Sequence, residues 1–245
     1  MHKFWSVAGF LLAIIVGAAL PVMWLNQYAR LISWGIVAMG AIILTSGLTT
    51  PPGGSFSSLL SDSRNRFQQS NLISLVWLIV ISSAYLSCAL WNIALWKPDS
   101  GTVLPVSIEV PPAIWVLAGI VSTGLVGSSL ILSNKLSRQV ERTSTETPSA
   151  VHSRVIIRAS SDAADLTDLV AFDEQDTVPP MDLGALQVLL FQIAAVIVYI
   201  AALGRLIFMT PPSAAITQFP SIPEGFLALL GISTATALAS RAIPR

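Results

Sequence analysis

Six apolar runs, at residues 4–25, 31–48, 72–95, 113–133, 185–209 and 222–240, constrain this chain more than any motif does. A helix needs about 20 apolar residues to cross the hydrocarbon core of a bilayer. In lipid, every backbone N–H and C=O must find a partner in the protein, so only helices and closed barrels span. Runs of this length without a two-residue alternation predict helices. The expected fold class is therefore all-α: a polytopic membrane protein with about six transmembrane helices. A mean hydropathy of +0.73 agrees, as does a charged fraction of 11% against about 25% in soluble proteins. The first run has the basic start and small residues of a signal peptide, but it continues past Pro21 to Leu25. Its length predicts an uncleaved span.

The basic residues predict the direction of insertion. With six spans, one side of the membrane holds Lys3, Arg64, Arg66, Lys135, Arg138, Arg142, Arg154, Arg158, Arg241 and Arg245. The other holds Arg30 and Lys97, with Arg205 near that end of the fifth run. Lys and Arg accumulate in cytoplasmic loops, so both termini are expected in the cytoplasm. Trp24, Trp34, Trp91, Trp96 and Trp115 fall near the opposite boundary, as an interfacial aromatic belt would. A net charge of zero gives no electrostatic case for nucleic acid. Membrane lipid is the expected environment.

The last four runs read as one hairpin used twice. NLISLVWLIVISSAYLSCAL aligns with ALQVLLFQIAAVIVYIAALG, placing Leu72 on Leu186, Trp77 on Phe191 and Tyr85 on Tyr199. EVPPAIWVLAGIVS is then echoed by SIPEGFLALLGIS, with Pro111 on Pro223 and Gly119 on Gly231. Both copies start on the same side, so they are expected to be parallel repeats about an axis along the membrane normal. The expected organisation is an N-terminal hairpin (1–50), a cytoplasmic loop (51–71), a first repeat hairpin (72–133), a cytoplasmic linker with a short acidic helix (134–183) and a second repeat hairpin (184–245).

Small residues recur every fourth position on several of these helices. Gly9, Ala13 and Gly17 form one such stripe; Gly119, Thr123 and Gly127 a second; Gly231, Ala235 and Ala239 a third. Helices in lipid associate mainly through close packing and occasional polar contacts, so such stripes predict packing surfaces. Gln187, Gln192 and Tyr199 in the fifth run, and Ser82, Ser83, Tyr85 and Ser87 in the third, predict interhelical hydrogen bonds. Ser221 and Glu224 have the S-x-x-E spacing of a capping box around Pro223.

Residues 134–182 are the longest polar stretch, and within them DLTDLVAFDEQD carries an acidic, partly apolar pattern. Asp165, Asp168, Leu169, Phe172, Asp173 and Glu174 are expected to offer a docking face to a partner. The spacing of a calcium loop is absent. So are a P-loop, a nucleophile elbow, a zincin motif and a dinucleotide fingerprint. One cysteine and two histidines assemble neither a metal cluster nor a haem-ligand pair. No cofactor and no enzymatic activity are expected.

These residues resemble a group of bacterial multi-spanning membrane proteins without a settled function. The likeness rests on Asp168, Leu169, Asp173, Glu174, Asp182, Leu183, Leu186, Gln187, Gly231, Ile232 and Ser233, and in the first hairpin on Tyr85, Trp91, Asn92 and the LSNK at 132–135. It implies a bacterial inner membrane and the two-hairpin core. The resulting expectation is a non-enzymatic scaffold or subunit of a larger assembly, oligomeric with itself or with other membrane subunits. The alternative is a channel or carrier component with a pathway on the pseudo-twofold axis or between protomers.

Overall fold

The computed structural model describes residues 2–23, 26–49, 60–62, 64–96, 107–145, 154–155, 164–171, 174–175 and 181–242. The fold is all-α and polytopic. Its long helices are α1 (His2–Met23), α2 (Gln27–Thr49), α3 (Gln69–Leu95), α4 (Pro112–Thr145), α5 (Leu183–Met209) and α6 (Glu224–Ala242). Five of them, α2 to α6, are long and apolar enough to cross a membrane. α1 continues through Pro21, and its described apolar part runs Ser6–Ala19. At 34 residues, α4 is the longest; at 1.5 Å per residue it reaches about 50 Å, beyond a hydrocarbon core of about 30 Å. Its apolar portion, Pro112–Ser137, forms the span, and the polar remainder extends it.

Local sequence sets the helix starts. Asn26 accepts from the Ala29 N–H at 2.8 Å, satisfying one of the free donors of α2. Pro112 opens α4, where its missing N–H is not needed. α6 departs from the expected capping box. The Pro223 carbonyl accepts from Phe226 and Leu227, whereas the Ser221 hydroxyl lies 3.4 Å from the Ile222 carbonyl. The proline itself occupies the cap position, one residue before the helix.

The chain divides into two compact units, and α3, α4 and α5 contribute residues to both. The first comprises residues 1–54, 75–115 and 195–222. Here α1 packs on α2 through its small-residue stripe. A Cβ on Gly40 would stand 2.5 Å from that of Ala13, and one on Gly17 would stand 2.9 Å from Val37 Cγ2. Gly9 faces Ile43. Ser33 donates to the Gly17 carbonyl at 2.6 Å, Trp34 Nε1 donates to Ser83 at 3.1 Å, and Trp77 packs against Tyr199.

This unit also holds a buried cation. Arg30, counted among the loop residues in the sequence, lies in the first turn of α2 and is 2% exposed. Its guanidinium donates to the carbonyls of Thr210, Pro211, Pro212 and Ala214 at 2.9–3.1 Å. It also stacks 3.9 Å from the ring centroid of Trp91. Trp91 is thereby buried instead of serving in an interfacial belt, whereas Trp96 and Trp115 are exposed; Trp24 lies outside the described residues. Next to it, Asn92 clasps the backbone of Ile216, donating to its carbonyl and accepting from its N–H at 2.8 and 2.9 Å. Glu109 bridges the same loop at Thr217 and Phe219.

The second unit comprises residues 55–74, 116–194 and 223–245. Its membrane-spanning part is built from the start of α3, most of α4, the first half of α5 and α6. Its remaining described residues form a polar layer. Residues 60–62 and 64–68 are drawn together by the Ser61–Phe67 bridge, with Asn65 in the left-handed region at φ 57°. Residues 51–59, part of the expected cytoplasmic loop, lie outside the described residues. A two-residue antiparallel pair joins Arg154–Val155 to Glu174–Gln175, and Leu166–Leu169 form a single 3-10 turn.

Candidate functional site

Beside the local Arg64–Asp62 pair, two ion pairs between distant segments organise the polar layer of the second unit. Arg66 and Asp168 are 2% and 3% exposed in their side chains, with Nε 3.1 Å from Oδ1. The other Asp168 oxygen accepts from the Asp165 N–H, and the Asp165 carboxylate accepts from the Thr167 N–H. These two residues form a reciprocal capping box around the 3-10 turn. Asp62 orients the same loop by accepting from Arg64 N and Nε, both at 2.8 Å. An unpaired buried carboxylate would carry a large desolvation penalty, so the Arg66 contact fixes where this turn can sit.

The second pair lies at the start of α5. Asp182 is 2% exposed and caps the helix: its Oδ1 accepts from Gly184 and Ala185, and its carbonyl accepts from Leu186. The carboxylate also complements the positive end of the helix dipole. Its Oδ2 faces Arg241 Nε in the last turn of α6 at 3.5 Å. Meanwhile the Asp182 N–H donates to the Val170 carbonyl at 2.7 Å, tying the 3-10 turn to α5.

A cleft of about 50 Å³ opens beside this pair, among the second-unit portions of α3, α4, α5 and α6. Gln69, Ser128, Gln192, Thr234 and Arg241 line its polar part. Ile73, Ile120, Val121, Val188 and Leu238 make up its aliphatic walls. Gln69 Nε2 donates to the Ala185 carbonyl at 3.1 Å, and Gln68 Nε2 donates to Ser128 Oγ at 2.5 Å. Thr234 Oγ1 is buried without a hydrogen-bond partner. A space of this size with several polar groups on its wall admits water.

The expected site residues fall in different places. Gly9, Ala13 and Gly17 lie between α1 and α2, as described above. Gly127 meets Leu238 and Gly231 meets Ile120, but Gly119 has open space around it. Thr123, Ala235 and Ala239 are exposed. The contact between α4 and α6 instead places Gly124 against Thr234, while Leu227, Leu230, Ser233 and Ala237 are buried on α6. Helical phase explains the difference. The small residues of these helices fall in several overlapping i, i+3 and i+4 series, and the partner surface selects one of them.

Within the acidic segment, Asp168 and Leu169 are buried and Asp165 is a cap. This corrects the picture of a continuous acidic docking face, because the Arg66 guanidinium draws Asp168 inward. Glu174 takes part in the short strand pair, and Phe172 and Asp173 lie outside the described residues. Sequence reasoning overlooked the roles of Arg66, Asp182, Thr234 and Arg241. Asp182 left a readable sign, an Asp directly before an apolar helical run. The others are defined by partners far away in the chain.

No protein-family model, no curated protein and no solved structure matches this chain.

Proposed function

We propose that the chain is a non-enzymatic scaffold or subunit of a larger membrane assembly, self-associating or joined to other membrane subunits. In this reading it resides in the bacterial inner membrane with both termini in the cytoplasm, and α3–α4 and α5–α6 are two copies of one hairpin. One observation carries the proposal. The ion-paired polar layer holds apolar side chains outward: Leu166 is 70% exposed and Met181 57%. Leu166 sits in a turn whose neighbours, Asp168 and Leu169, are locked inward. A rigid element that presents apolar groups outside the spans suits a protein partner.

The test is a photoreactive residue at Leu166 in the full chain, cross-linked in native membranes. A discrete adduct of defined mass, either a second copy or another membrane subunit, is expected. The Arg66→Ala variant should reduce it by releasing the turn. A strictly monomeric protein after mild solubilisation, with no adduct, overturns the proposal.

The cleft favours a second reading, a channel or carrier component. Gly231 faces Ile120 of the cleft wall, with its built Cβ 3.7 Å from that side chain. Solute flux in liposomes that is lost in a folded Gly231→Leu variant would establish this reading. No flux for any solute small enough for the cleft would remove it.

A further inference from the structure

We infer that a second cavity of the polar layer binds a neutral sugar, through amide and hydroxyl groups whose orientation the fold fixes. The inference does not depend on the scaffold reading. The cavity has a volume of about 480 Å³, within the ~300–1,000 Å³ of small-molecule sites. Its described lining lies wholly in the second unit, between residues 61–71 and the far end of the α4 span.

The wall carries no net charge. Asp62 is the one ionisable side chain on it among the described residues. Its carboxylate is engaged by the Arg64 guanidinium and by the Arg64 N–H. What remains is neutral and polar: two amides and several hydroxyls.

Internal hydrogen bonds decide which of their atoms stay available. Ser128 gives its proton to the Leu125 carbonyl at 3.0 Å, so the Gln68 amide must meet it with Nε2, at 2.5 Å. Gln68 is 8% exposed, yet its Oε1 has no partner among the described residues and is not sealed from solvent. Asn71 donates Nδ2 to the Ser61 carbonyl at 3.4 Å and keeps Oδ1 free among the described residues. On α4, Ser129 and Ser137 return their protons to the Leu125 and Ser133 carbonyls, both at 3.0 Å, and keep their lone pairs. Ser133 keeps its whole hydroxyl among the described residues. These three serines are exposed and four residues apart, a ladder about 12 Å long.

The ligand that fits is uncharged and both gives and takes hydrogen bonds. Each amide retains one N–H beside its open oxygen, and the serines add acceptors. A sugar hydroxyl has the same dual capacity. A phosphate brings chiefly acceptors and would face these lone pairs. A polyamine brings only donors, and its charge would meet the positive end of α3, which starts at Gln69. Leu132 and Leu136 supply an apolar floor for the C–H face of a sugar ring. The cavity lies where the α4 span ends, at Ser137, so the sugar is either free or the headgroup of a glycolipid.

The experiment uses the full chain in nanodiscs. In one arm maltose is titrated and followed by saturation-transfer NMR. In the other, discs with and without diglucosyldiacylglycerol are compared by native mass spectrometry. Saturable binding is expected in at least one arm; maltose marks a free sugar, and retained glycolipid marks a headgroup. Ser133→Leu fills the cavity from an exposed helical position and is expected to weaken binding by about tenfold or more. Asn71→Leu, which removes both amide functions, is expected to weaken it about tenfold, and Ser133→Ala about threefold. If Asn71→Leu fails to fold, Ser133→Leu decides. Wild-type binding in Asn71→Leu overturns the amide contact, and wild-type binding in Ser133→Leu overturns the site. No saturable binding in either arm means a cavity that holds only water and overturns the inference. Spermidine or inorganic phosphate binding more tightly than both sugar probes overturns the neutral chemistry.

Discussion

Arg30 and Arg241 are the same side chain at the ends of two apolar helices, and their surroundings ask different things of them. Arg30 is enclosed: four backbone carbonyls accept its protons, and an indole covers its face. No carboxylate pairs with it among the described residues. The carbonyls sit in one loop whose only backbone bond among them runs from the Ala214 N–H to the Pro211 carbonyl, so the guanidinium supplies most of their donors, while Arg30 Nε stays buried without a partner among the described residues. Arg241 has one carboxylate at 3.5 Å and a fork otherwise open to a cleft. The first arginine is a structural element; the second retains binding capacity. The lesson is that the partner count of an intramembrane cation, more than its burial, separates architecture from a site.

Substitutions can break this comparison. Arg30→Ala removes four charge-assisted bonds to half-buried backbone carbonyls together with the contact on Trp91, and a loss of about 3 kcal/mol is expected, read by equilibrium unfolding in bicelles. Arg30→Lys should rescue little, because an ammonium reproduces neither the fork nor the stacking. If lysine restores full stability, the enclosed geometry is not what matters. Arg66→Ala exposes the contrast from the polar side: Asp168 is left buried and unpaired, at a cost of about 3 kcal/mol. Limited proteolysis of the 145–182 region should accelerate in step, and the Arg66→Met, Asp168→Leu double variant should recover most of the loss.

Asn92→Leu removes both bonds to Ile216 and should cost about 2 kcal/mol, which the same unfolding assay would show. At Arg241 the expected stability change is smaller. Arg241→Gln should cost about 1 kcal/mol, because the buried Asp182 keeps its two backbone donors without it. A loss as large as that of Arg30→Ala would make Arg241 structural after all. Smallest of all, Gly119→Ala should be neutral or stabilising by up to about 1 kcal/mol, since the added methyl enters open space in a helix. A clear loss would show that this face is covered by a second molecule.

Much of the fold was legible in the chain because apolar run length alone dictates spanning helices. The α1–α2 contact was legible too: its stripe, Gly9, Ala13 and Gly17, lies on neighbouring elements joined by a short connection, so little else competes for it. The stripe through Gly119 and Thr123 misled because small residues also recur at Gly124 and Ser128, and only the partner helix chooses between the phases. Arg30 read as a loop cation because its acceptors are about 180 positions away and are backbone groups, which carry no side-chain signal. Asp168 read as solvated for the same reason: its partner, Arg66, lies 102 positions earlier. Thr234 is distinguished by a bond it does not make, and no residue pattern records that.

The enclosure of Arg30 also has a consequence for the order in which the molecule is made. The guanidinium leaves the ribosome about 180 residues before the carbonyls that accept its protons. At 5–20 residues per second that interval is roughly 10–40 s. During it, the guanidinium of α2 lacks those four acceptors, and lipid disfavours an unmatched cation. The four acceptors of Arg30 exist only once residues 210–214 have been made, so one of the last loops synthesised completes the surroundings of one of the first helices.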